Sequence, residues 1–292
     1  MLSYRHGFHA GNHGDVLKHL CQMLLIEKLK TKDKGFVYFD THSGAGIYQL
    51  DSIEAQKTKE FKQGIERVSA YRSDNEQIAE YLTLVSNYKK FAQYPGSPEI
   101  AKCLLRPQDK MVLMEWHNQE IKQLKSNIGG KNIAIHHRDG YEGLKALTPP
   151  SLPRGLVLID PSYEVADEYQ QVVDTLCEVQ KKWPSAIFAI WYPLLSSRKI
   201  DDSSFQSSIS KKGKSQDMLD ELATQPFKNM LKVELCVTSA ADSEGMYGSG
   251  MAIINAPWQF DKQIDACLKE LTPLMTQKAS GSYSVDWLIQ EA

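Results

Sequence analysis

The stretch Leu156-Val157-Leu158-Ile159, stopped by Asp160-Pro161-Ser162-Tyr163, constrains this chain more than any other. An unbroken apolar run of that length, entered from Arg154-Gly155, fits a strand buried on both faces, as in a parallel sheet covered by helices. Parallel sheets place their chemistry just beyond the carboxyl ends of their strands. Asp160, Pro161 and Tyr163 then meet at that edge as an acceptor, a rigid turn and a flat stacking surface. Such a set suits a planar ligand that carries an amino group.

The rest of the chain alternates in the same sense. Gly35–Asp40 reads as a first buried strand, followed by strands at Met111–Glu115, Ile133–His137, Leu156–Ile159 and Ala186–Trp191, the last punctuated by Pro193. Two more strands are expected at Val233–Val237 and Met251–Asn255. Helical spacing begins near Asp15, with Val16, Leu17, Leu20, Leu24 and Leu25. Further helices are expected at Asn118–Asn127, Asp167–Lys182 and Gln259–Leu271. The pattern predicts an α/β fold with an open, mostly parallel sheet. Between the first two strands the gap far exceeds one crossover helix. Residues 51–94 carry Tyr71, Ile78, Tyr81, Leu82, Val85 and Tyr88 at helical spacing and end in Tyr94-Pro95-Gly96-Ser97-Pro98. They read as a small helical insertion into a domain made of 1–50 and 95–292.

Composition sets limits. No apolar run reaches the ~18 residues that cross a bilayer. The opening Met-Leu-Ser-Tyr-Arg-His-Gly-Phe-His lacks the apolar core of a secretion signal, and the five cysteines are scattered, with no C-x-x-C pair. A cytoplasmic protein is expected, with no membrane partner and no disulfide framework. Net charge is −2, so any nucleic-acid contact must be local.

The first strand leads into Asp40-Thr41-His42-Ser43-Gly44-Ala45-Gly46. Glycine at Gly44 lets the backbone approach a ligand. Gln49 stands where a dinucleotide pattern needs its third glycine, which disfavours NAD. The next two strands end in Glu115 and Asp139. Acids at successive strand ends can merely cap helices. Ordered with Asp160-Pro161-x-Tyr163, they suit a ligand with a ribose diol, an amine and an adenine amino group. S-adenosylmethionine has all three. In the loop, the Asp160 carboxylate and the Pro161 carbonyl can accept the two N–H bonds of an adenine amino group. That favours a tetrahedral nitrogen whose lone pair points at the methyl donor, with Tyr163 stacked on the base.

Five of the eight histidines lie in the first 42 residues. His9 and His13 have metal-ligand spacing on a helix, but Gly11 and Asn12 oppose a helix there, and no metal is expected. A hydrogen-bonded tail is one account of this region. The other folds it over the pocket, with Tyr4, Arg5, His6 and Lys18 near the target base or phosphate. Residues 196–216, with Arg198, Lys199, Lys211, Lys212 and Lys214, read as a mobile loop.

Several runs together carry a resemblance. They are Leu2-Ser3-Tyr4-Arg5-His6-Gly7-Phe8-His9-Ala10-Gly11-Asn12-His13 with Asp15-Val16-x-Lys18-His19, Asp40-Thr41-His42-x-Gly44-Ala45-Gly46, Tyr94–Pro98, and Asp160-Pro161-x-Tyr163-Glu164. Along essentially the whole chain this resembles the bacterial 23S ribosomal RNA adenine-N6-methyltransferase family of the J type. The resemblance implies a class I methyltransferase fold with a seven-stranded, mostly parallel sheet and a small helical insertion. It also implies S-adenosylmethionine as donor and one adenine of 23S rRNA as target. Separately, a monomer is expected. By match to the family's pattern, His19, His42, Ser97, Glu115, Asp139, Gly140 and Asp160 line the cofactor pocket, and Tyr4 touches RNA. The family motif is Asp-Pro-Pro-Tyr, and this chain has Ser162 at its third position. A proline there would fix φ and lack an N–H; serine does neither. A DNA adenine-N6-methyltransferase, and a non-catalytic nucleic-acid-binding protein linked to use of external DNA, are the alternatives.

Overall fold

The computed structural model describes residues 5–196, 211, 213–278 and 280–290. In chain order the elements are α1 (His13–Lys30), β1 (Val37–Asp40), β2 (Ile47–Gln49), α2 (Ile53–Thr58), α3 (Ile65–Ser69) and α4 (Glu76–Lys89). Then come β3 (Gln93–Pro95), α5 (Ser97–Leu104), β4 (Lys110–Glu115), α6 (Glu120–Asn127), β5 (Ile133–His137) and α7 (Gly140–Leu147). The chain continues with β6 (Gly155–Ile159), α8 (Asp167–Lys182), β7 (Ile187–Leu195), α9 (Lys214–Ala223), β8 (Met230–Cys236), β9 (Met246–Ile254), α10 (Phe260–Met275) and β10 (Ser282–Ile289).

The main sheet runs β10-β8-β9-β7-β6-β1-β4-β5. Its five strands from β7 to β5 are parallel; β9, β8 and β10 are added antiparallel. The sheet therefore has eight strands, not the expected seven. The extra one, β10, pairs along β8 at the outer edge and is only partly buried, so it lacks the apolar run that marks a central strand. β7 also extends past Pro193 to Leu195. Its parallel partner β6 stops opposite Ile190, and beyond that point β7 is bonded to β9 alone. One side of the strand is then free, and a residue without an N–H is tolerated.

Each central strand alternates between two cores. Tyr38, Leu156 and Leu158 face α1, α4, α5 and α10; Phe39, Val157 and Ile159 face α7 and α8. Leu156–Ile159 is fully buried on both faces, as its composition requires. α1 starts earlier than Asp15. Asn12 is its N-cap and accepts from Asp15 N at 2.9 Å, while Asp15 reaches back to Gly11 N at 2.8 Å. Among the described residues no helix is long and apolar enough to cross a membrane.

The chain moves from β1 out to β4 and β5, then returns to β6 on the other side of β1. The loops after β1 and β6 therefore diverge, and a crevice opens between them at the carboxyl edge.

Candidate active site

A cleft of about 240 Å³ occupies that crevice. It is lined by His19, His42, Gly44, Ser97, Glu115, Asp139, Gly140 and Asp160, which are all eight residues expected around a cofactor. Gly44 has φ +58°, and a Cβ there would lie 2.0 Å from the Tyr48 hydroxyl; only glycine fits. A Cβ on Gly140 would lie 2.1 Å from the Thr41 carbonyl oxygen. The glycine turn and the start of α7 are thus pressed together at the base of the cleft.

The acids differ in environment. Glu115 accepts the N–H of Gly44 at 2.8 Å on one carboxylate oxygen and that of His117 at 2.6 Å on the other. Burial nevertheless pushes its carboxyl up to about 7. Asp139 caps α7, accepting from Glu142 N at 2.9 Å, and also faces the cleft; capping and lining are compatible. Asp40 does not line the cleft. It is fully buried beneath it, accepting from the hydroxyls of Ser97 at 2.7 Å and Tyr38 at 2.9 Å. Burial raises its carboxyl to about 6, against the pull of those hydrogen bonds. Its role is to hold Ser97 and the strand end in place. Burial lowers His42 to about 4 and His19 to about 3. Both rings are therefore neutral, and His19 is bonded to the Tyr94 hydroxyl at 2.7 Å.

Lys18 is buried on α1, and its ammonium lies 2.6 Å from Asp160 Oδ2 and 2.8 Å from Asp15 Oδ1. Burial alone would lower its pKa; attraction to the two carboxylates outweighs that and holds it above the usual lysine value. Lys18 is thus neither a solvated helix residue nor an exposed cation. Asp15, fully buried, also takes His6 Nε2 at 2.9 Å. Its carboxyl is penalised by burial yet held well below the usual range by His6 and Lys18.

The loop after β6 is tied by side chains. The Ser162 hydroxyl accepts from Glu164 N at 3.3 Å and donates to Glu168 Oε2 at 3.4 Å, and the same oxygen takes Val165 N. Pro161 is buried and lines neither cavity described here. Tyr163 adopts φ +51°, a strained region for an aromatic residue. Its hydroxyl donates to the Trp191 carbonyl at 2.9 Å and its ring lies 4.3 Å from that of Tyr169.

A second cavity, of about 290 Å³, shares the Lys18–Asp160 pair in its lining. His6, Lys18, Asp160 and Ser162 line both cavities; Tyr163, Trp191, Pro193 and Lys211 line only the second. The geometry thus sets two small-molecule-sized spaces against one carboxylate.

Tyr4, Arg198, Lys199 and Lys212 lie outside the described residues, as does most of the loop expected over 196–216. His9 sits just after a 3-10 turn and bonds Glu60 at 2.9 Å, whereas His13 opens α1. The two do not share a helix. Among the described residues no three His, Cys, Asp or Glu side chains are grouped to hold a metal. Sequence reasoning missed Asp15 as more than a helix start, and Glu60 altogether. An acid three residues before Lys18 on the same helix face was the available signal for the first.

The comparisons with known proteins agree with one another. A family model described as ribosomal RNA large subunit methyltransferase D, RlmJ, matches residues 33–289. The ribosomal RNA large subunit methyltransferase J of Haemophilus influenzae is 41% identical over 296 residues, covering 100% of both chains. Its Escherichia coli counterpart is 39% identical over 295 residues, again covering 100% of both. Among solved structures, a protein of Legionella pneumophila matches with a TM-score of 0.82 at 32% identity, covering 95% of this chain and 98% of that one.

Proposed function

The chain belongs to the ribosomal RNA large subunit methyltransferase J family, and from that premise we propose that it methylates N6 of one adenine in 23S rRNA, with Asp160 as the acceptor. The protein is an S-adenosylmethionine-dependent rRNA methyltransferase. The observation that carries the finer reading is the position of Asp160 between two cavities, its Oδ2 held by Lys18. S-adenosylmethionine supplies a methyl group on a sulfonium. The first cavity suits it: Glu115 and Asp139 accept from a ribose diol and an amine, and the glycine turn admits the backbone closely. Asp160 Oδ1, which has no hydrogen-bond partner among the described residues, accepts an N–H of the adenine amino group and takes its proton as the new bond forms. The Pro161 carbonyl, expected to accept the other N–H, is not part of either cavity's lining and takes no part in this reading. The second cavity receives the base, extruded from its stack, with Tyr163 in its wall and His6 and Lys18 between base and cofactor. The remaining assignment is Tyr4 to RNA contact, made from its match to the family's N-terminal pattern alone.

Residues 51–94 form an insertion into a methyltransferase domain of 1–50 and 95–292 on this reading. β2 and β3 pair antiparallel, so the chain leaves and re-enters at neighbouring points. The lining of both cavities among the described residues comes from one chain, which supports action as a monomer; a cytoplasmic site of action is part of the same reading.

The test is methyl transfer from labelled cofactor to protein-free 23S rRNA and to duplex DNA, followed by nucleoside analysis. N6-methyladenosine from the rRNA alone is expected. Label in DNA favours the DNA enzyme, and cofactor binding with transfer to neither favours a non-catalytic role.

A further inference from the structure

The insertion touches the active site through one continuous set of bonds. Glu60, between α2 and α3, accepts from Asn12 Nδ2 at 2.9 Å on one carboxylate oxygen and bonds His9 Nδ1 at 2.9 Å with the other. Asn12 Oδ1 accepts from Asp15 N at 2.9 Å. Asp15 in turn holds Gly11 N, His6 and Lys18, and Lys18 holds Asp160. Around this line the same two segments are joined again. Ile65 N donates to the Gly11 carbonyl at 2.9 Å, the Thr58 hydroxyl donates to the Phe8 carbonyl, and Arg5 pairs with Glu54 at 2.9 Å. A Cβ on Gly64 would lie 2.2 Å from the Gly11 carbonyl oxygen, so the approach is close.

We propose that Glu60 is a positioning residue for methyl transfer: it anchors the N-terminal segment to the helical insertion and, through Asn12 and Asp15, holds the Lys18–Asp160 pair at the junction of the two cavities. This rests on the function proposed above. Single exposed ion pairs contribute little to stability, and Glu60 is about a third exposed (35% of its side chain). Its effect is therefore expected in the geometry of the site rather than in the stability of the fold. Glu60, His9 and Asn12 themselves line the second cavity, and His6 and Lys18, which they order, line both. A displacement of about 1 Å at a reacting group can lower a rate by about 100-fold. The insertion then has a defined purpose: it fixes the wall of the substrate cavity that the N-terminal segment forms.

The experiment measures single-turnover methyl transfer to 23S rRNA at saturating RNA and cofactor, cofactor affinity by calorimetry, and amide hydrogen exchange. The proteins are wild type, Glu60→Ala, Glu60→Gln and Glu54→Gln. Glu60→Ala is expected to lower the rate by about 10- to 100-fold while cofactor affinity stays within about threefold. Glu60→Gln keeps an acceptor for Asn12 and a polar partner for His9, and is expected to recover most of the rate. Glu54→Gln weakens the separate Arg5 tie on an exposed helix and is expected to give a smaller loss in the same direction. Exchange over residues 5–12 and 160–163 should rise in Glu60→Ala. A wild-type rate in Glu60→Ala, with only its melting temperature lowered, overturns the inference and leaves a structural staple. No transfer to 23S rRNA by the wild type overturns the proposed function instead, and unchanged exchange over 5–12 overturns the anchor by itself.

Discussion

Ser162 stands where the resemblance implies a proline, yet its hydroxyl bonds Glu164 N and Glu168. These bonds restrain the loop in place of a ring. Each contributes about 1 kcal/mol, so Ser162→Ala is expected to lower kcat/KM by about 2- to 10-fold; an unchanged value would show the hydroxyl to be idle. Glu115 gives a second prediction at this scale. Its carboxyl is raised to about 7 by burial, and a ribose diol donates best to the ionised form. Cofactor affinity should therefore rise as pH rises through 7 and level off above it, with proton release on binding. The same shift acts on stability with the opposite sense. The folded acid holds its proton up to about 7 and the unfolded acid only to about 4.5, so this group's contribution falls as pH rises between them. Calorimetry in buffers of different ionisation enthalpy reads the proton release, and Glu115→Gln should remove it. Glu115 and Asp160 are readable from sequence because each ends an apolar strand, and Asp139 because it follows a strand and caps the next helix; the fold carries all three to the cleft. Asp40 obeys the same rule yet is buried under the cleft, since the hydroxyls of Tyr38 and Ser97 claim its carboxylate. The partner of Lys18 was out of reach: Asp160 is 142 residues away, and no local pattern encodes so distant a pairing.

At the scale of elements, α1 does most to build the site. Asp15, Lys18 and His19 fall at i, i+3 and i+4 on one face, and the whole of His13–Ile26 is buried. The helix therefore presents charged groups where an isolated amphipathic helix presents leucines. Lys18→Met leaves the Asp15 and Asp160 carboxylates without their shared cation. Breaking such a buried pair costs about 3–5 kcal/mol, so the free energy of unfolding in denaturant should fall by about that amount and transfer should be lost. A drop below about 1 kcal/mol would mean that the pair is solvated. The central elements are legible because β6 is an unbroken apolar run and α8 carries a helical period; the expected span Asp167–Lys182 is the observed helix. β10, Ser282–Ile289, is not, because a half-exposed edge strand mixes serine, aspartate and tryptophan with its apolar residues. The three-residue strands β2 and β3 are too short to show a period.

For the whole molecule, the account is one of two cavities brought against a single carboxylate. The crevice follows from strand order, since β1 lies between β4 and β6. The second cavity follows from long-range contacts among the N-terminal segment, the loop after β6 and the end of β7, which only the assembled chain provides. If one cavity holds the methyl donor and the other the base, the two binding sites can be separated by substitution at their junction. The direct test is Asp160→Asn, which keeps the size of the side chain and removes its charge, measured by single-turnover transfer to 23S rRNA beside calorimetric cofactor affinity. The account predicts a rate lowered by about 100- to 10,000-fold with cofactor affinity within about tenfold of wild type. A variant that transfers methyl at a rate comparable to wild type would contradict it.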